Sequence, residues 1–130
     1  MRPLLICIGL FLIVFVTGCD VVVKQNLDVL STTELHSNST VLTENQIQMI
    51  RETISDVGKK YGLECRGSAV TCNEYEHGFL QMWYIIEKYR VVITVSEFCG
   101  PCRSGSRELI KDLRTSLENK VPSVKVVTTR

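Results

Sequence analysis

The sequence predicts a small two-layer α/β domain over residues 43–130, in the order helix, strands, helix, strand, with both helices on one face of a mixed sheet. Three observations predict it. Two segments carry apolar residues at steps of three and four, the period of a helix with one buried stripe. Two runs between them are dense in aromatic and β-branched residues and have the length of strands. A last run with alternating valines follows Pro122, just past the second helical stripe.

The first helix has two coincident start signals. Thr43 and Gln46 stand at the spacing of a capping box, and Leu42 and Ile47 occupy the positions of a hydrophobic staple. Ile47, Ile50, Ile54, Val57 and Tyr61 then form the buried stripe, and Gly62 supplies the left-handed stop, so a helix spans residues 44–61. Short strands at residues 63–65 and 69–72 flank a turn at Arg66, Gly67 and Ser68. Residues 79–86 and 91–98 are the two main strands. In the second of them Val91, Ile93 and Val95 share one face and Val92, Thr94 and Ser96 the other, the alternation of a sheet covered mainly on one side.

The second helix begins at Ser104 or Ser106 and ends at Lys120, with Leu109, Ile110, Leu113 and Leu117 on its inner face. Residues 123–128 form a closing strand with Val124 and Val126 on one side. Strand, helix and strand of these lengths make a right-handed crossover if the two strands are parallel. Ahead of the domain, residues 20–41 are irregular and rich in Ser, Thr and Asn, which reads as a spacer.

Residues 1–18 have the three parts of an export signal: Arg2, an apolar run over residues 4–16 broken only by Gly9, and the small residues Thr17 and Gly18. A permanent span is disfavoured, because residues 3–18 fall short of the roughly 20 apolar residues that cross a bilayer core. Val16-Thr17-Gly18-Cys19 resembles the lipobox of bacterial lipoproteins. The resemblance implies cleavage before Cys19, a diacylglyceryl thioether on its sulfur and an acyl chain such as palmitate on its amine. Stable attachment needs two or more chains, since one gives only marginal binding. The implied organisation is a signal peptide over residues 1–18, a lipidated N-terminus and tether over 19–42, and one domain over 43–130. Asp20 resembles the signal by which lipoproteins of enteric bacteria stay in the inner membrane, facing the periplasm in a Gram-negative cell.

All 14 acidic residues and all but one of the 15 basic residues lie beyond the signal, so the mature chain is balanced. That balance gives a nucleic-acid partner no electrostatic support. Cys65, Cys72, Cys99 and Cys102 remain besides Cys19, and an even number in an exported domain reads first as disulfides. Four cysteines allow three pairings. Cys65 with Cys72 and Cys99 with Cys102 are favoured as local pairs, while the crossed sets satisfy the same count. Zinc is disfavoured, because the compartment is oxidising and six residues separate Cys65 from Cys72, wider than zinc motifs use.

Phe98-Cys99-Gly100-Pro101-Cys102-Arg103 follows a predicted strand and opens a predicted helix. There it resembles the thioredoxin active-site tetrad, which implies Cys99 as nucleophile and Cys102 as resolving thiol. A helix N-terminus stabilises a thiolate and lowers its pKa, which is the chemical reason for that placement. The resemblance covers six residues and extends at most to the central β-α-β unit of that fold; Phe98 stands where the family usually has tryptophan.

His36 and His77 stand in no metal or catalytic spacing and read as solvated loop residues. Phe79, Trp83 and Tyr84 read first as core and second as a binding surface on an open sheet face. No phosphate loop, nucleophile elbow or histidine-pair motif occurs, and no cofactor is expected. The leading expectation is a non-enzymatic lipoprotein domain that touches other envelope proteins outside the cytosol. The alternative is a cut-down thiol-disulfide oxidoreductase using Cys99 and Cys102.

Overall fold

The computed structural model describes residues 21–32, 41–67, 72–77, 79–99 and 105–129. In chain order the elements are β1 (Val21–Ser31), α1 (Glu44–Lys60), β2 (Glu64–Arg66), β3 (Glu74–His77), β4 (Leu80–Ile86), β5 (Arg90–Cys99), α2 (Gly105–Lys120) and β6 (Val124–Thr129). The α/β class is as the sequence predicts. Among the described residues, no helix is long and apolar enough to cross a membrane.

Both ends of α1 form by the expected chemistry. The Gln46 amide donates to Thr43 Oγ1 at 3.1 Å and the Thr43 amide donates to Gln46 Oε1 at 3.0 Å, which completes the capping box. The Gln46 side-chain amide also donates to the Pro122 carbonyl at 3.1 Å, fastening the start of α1 to the turn before β6. At the other end Gly62 has φ 70°, and the Leu63 amide reaches back to the Gly58 carbonyl at 3.0 Å, a Schellman closure. Ile50, Ile54 and Val57 are fully buried, so the predicted stripe is core.

Residues 21–31 depart from the expected irregular segment. They are not a spacer: β1 lies inside the six-stranded sheet, whose order is β2-β3-β4-β5-β1-β6. It pairs antiparallel with β5 over ten positions and with β6 over six, and Leu27 and Val29 are completely buried. The physical reason is that residues 26–30 are paired on both sides, so their backbone groups are satisfied in the sheet, and the buried Leu27 and Val29 carry the low-propensity Asn26 and Asp28 along with them.

The same strand corrects the expectation of a mixed sheet. Every neighbouring pair is antiparallel. β5 and β6 do run in one direction, joined through α2, but β1 lies between them and converts one parallel contact into two antiparallel ones. A further difference lies beside the Cys65 turn. The partner of β2 is β3, at residues 74–77 and not at 69–72; of the latter, 69–71 lie outside the described residues. Phe79 belongs to the β3–β4 turn and not to β4.

Register sorts the strands into two sets. Leu27, Ile93 and Tyr84 stand opposite one another, as do Val29, Val91 and Ile86, and Val95 faces Met82. These residues join Ile50, Ile54, Val57, Leu109, Leu113 and Leu117 in one core cluster, with Ile86 partly buried against it. The alternate set, which includes Asn26, Thr94 and Trp83 on one row and Asp28, Val92 and Ile85 on the next, forms the second face. Ile85 is 57% exposed there and Phe98 43%.

Candidate functional site

The chain that carries the candidate chemistry meets at one end of the sheet. β1 begins at Val21, β5 ends at Cys99, and Val21 stands opposite Cys99 in the ladder. Cys19 therefore precedes this end by two residues in sequence. Cys19 itself lies outside the described residues, as do Gly100, Pro101, Cys102 and His36. β5 ends at Cys99 and α2 begins at Gly105, so in sequence the tetrad starts on the last residue of a strand and precedes a helix.

Glu97 governs the start of that helix. It is the outlier in the inward set Val91, Ile93, Val95, Glu97, and it is buried. Its Oε2 accepts from the Ser106 amide at 2.9 Å, and a side chain added at Gly105 would lie 3.6 Å from its Oε1. A carboxylate at a helix N-terminus satisfies an orphan amide and complements the dipole. The first turn of α2, as described, thus spends that resource on Glu97. The signal for Glu97 was present in the sequence, as a carboxylate continuing an apolar alternation.

Cys65 and Cys72 form a disulfide, with Cα atoms 5.7 Å apart, within the usual range. It staples β2 to the segment leading into β3, at the edge of the sheet. Tyr84 and Tyr75 donate their hydroxyls to the Cys72 carbonyl at 3.0 and 3.4 Å. Burial raises both phenol pKa values above their ordinary range; a hydrogen bond with Ser55 partly offsets this at Tyr75. Tyr84 is consequently core and a support for the disulfide loop.

Trp83 separates from Tyr84 and lies on the second face. Lys24 Nζ stands 5.3 Å from the centre of its ring, a cation–π contact. Beside it a shallow hollow of about 480 Å³ is lined by Asn73, Glu74, Gln81, Trp83, Tyr84 and Ile85. Asn26 Oδ1, on the same row as Trp83, is buried without a hydrogen-bond partner among the described residues. Nearer the start of β1, the Phe79 and Phe98 rings lie 5.8 Å apart and tilted, with Phe79 71% exposed. His77 is exposed, its ring close to Gly62. Among the described residues, no three His, Cys, Asp or Glu side chains gather where a metal could be held.

No protein-family model, curated protein or solved structure matches this chain. The arrangement offers apolar and aromatic contact with a few polar anchors, the composition of a recognition surface. The contact of Lys24 with Trp83 and the pairing of Phe98 with Phe79 were not legible in the sequence, because each depends on the register of strands distant in the chain.

Proposed function

We propose that this protein is a bacterial lipoprotein, cut before Cys19, acylated there, and held on a membrane with its domain outside the cytosol. The observation that carries the reading is the order of residues 1–19: a positive start, an apolar run too short to span, two small residues and a cysteine. Asp20 favours retention in the inner membrane, facing the periplasm, in a Gram-negative cell. The domain acts without catalysis, by contact with another envelope protein. Both helices cover the Leu27–Ile93 face in this reading, which leaves the Trp83 face and its hollow for the partner.

Metabolic labelling with a fatty acid tests the anchor. The chain takes up label and the Cys19→Ser variant does not; label-free membrane protein with an intact Met1 overturns the reading. Affinity capture from solubilised membranes tests the partner, with Ile85→Asp as the comparison. A partner retained by the parent and lost by the variant supports the surface. Identical capture by both removes it.

Strand, tetrad and helix in succession favour a second reading, a thiol-disulfide exchange with Cys99 attacking and Cys102 resolving. Insulin reduction and trapping of a mixed disulfide by Cys102→Ser test it. A chain that neither reduces insulin nor traps a substrate has no such activity.

A further inference from the structure

We infer that the domain stands end-on against the lipid bilayer, with Phe79 and Phe98 seated at the boundary between headgroups and acyl chains. This rests on the lipoprotein reading and adds to it an orientation and a second contact. Two residues reach at most about 7 Å along an extended chain, so an acylated Cys19 brings the bilayer to the end of the sheet where β1 starts. That end carries a pair of exposed aromatics. Phe98 is the row partner of Val22, its amide donates to the Phe79 carbonyl at 2.9 Å, and the two rings touch.

Two features make lipid the occupant. An exposed aromatic pair beside a lipid attachment point is apolar surface that the interface region takes up readily. The short connection also keeps the patch at a high effective concentration against the surface, so weak insertion by two rings is enough to hold the orientation. Trp83 lies four residues from the level of Phe98, about 13 Å further along the ladder, and is carried clear of the membrane. The Trp83 face then stays open to a protein partner.

Trp83 is the chain's single tryptophan, which makes depth measurable. The full lipidated protein is reconstituted in vesicles of phosphatidylethanolamine and phosphatidylglycerol, with and without brominated acyl chains. The parent reports position 83; the chains W83F/F98W and W83F/F79W report the other end, each accepted only with parental circular dichroism. The expected result is a blue-shifted indole that loses intensity with brominated lipid at positions 98 and 79, and unchanged emission at 83. No loss at 98 and 79, or equal loss at 83, overturns the end-on placement. Intact mass of the same samples separates the two levels: acylated but unquenched protein sinks the orientation alone, and protein without acyl chains sinks the lipoprotein reading together with it.

Discussion

Truncating Leu27 to alanine is the sharpest check on the architecture, because residue 27 belongs either to a spacer or to the centre of the sheet. Leu27 is fully buried between Ile93 of β5 and Thr128 of β6. Removing three carbons forfeits about 2.4 kcal/mol at roughly 0.8 kcal/mol per methylene. The flanking strands are fixed by their ladders and close the hole poorly, so the total rises to about 3 kcal/mol, within the range of about 2–5 kcal/mol for buried leucine truncations. Domains of this size are stable by only about 5–15 kcal/mol. With a urea m-value of about 1.5 kcal/mol/M the midpoint falls by about 2 M. The assay is urea unfolding of the protein, followed by far-ultraviolet circular dichroism. Lys24→Ala, on the same strand but exposed, is the control and costs at most about 1 kcal/mol. A Leu27→Ala midpoint within about 0.3 M of the parent, equivalent to about 0.5 kcal/mol and the size of an ordinary surface change, would refute a buried β1.

Three further outcomes follow from other parts of the molecule. Cys65→Ser with Cys72→Ser opens a short loop and costs about 2.5 kcal/mol in the chain-entropy account, read as a lower urea midpoint that reductant no longer shifts. Glu97→Gln keeps an acceptor for Ser106 but loses the charge at the start of α2, a cost of about 1 kcal/mol by thermal unfolding. Tyr61 donates to Asp112 Oδ2, and its pKa is pushed up to about 12 by burial first, then by the Asp112 hydrogen bond and the charges of Asp112 and Glu108. The unfolded chain gives up this proton near pH 10 and the folded chain keeps it to about pH 12. Stability from this group is whole below pH about 10 and drains away as pH climbs towards 12, and Tyr61→Phe removes that part of the alkaline slope in urea midpoints taken across the window.

The elements that were legible share one property: their signals are local. Thr43 with Gln46 and the stripe through Ile50, Ile54 and Val57 placed α1 within a residue of its observed end, because caps and helical periods are written within a few turns. β4 and β5 were equally plain from their β-branched and aromatic density. β1 was not, because Lys24, Gln25, Asn26 and Asp28 dilute its pattern and its stability comes from strands far away in sequence. Leu27 and Val29 between polar neighbours were the available trace. β3 escaped for a similar reason: four residues, two of them glutamates, hold their place through Tyr75 in the core and the neighbouring disulfide. At the site, local reading found the cysteines and Trp83, while Glu97, Lys24 and Phe98 acquired roles only through register.

The position of β1 bears on how the domain takes mechanical load. Any pull entering the chain ahead of Val21 is directed along a strand bonded on both flanks, ten rungs on one side and six on the other. Such a pull shears the rungs together and does not peel them one by one. Under the proposed acylation of Cys19, such a load would pass first through residues 21–25, paired on one side, and then through residues 26–30, paired on both, so the centre of the sheet would bear it.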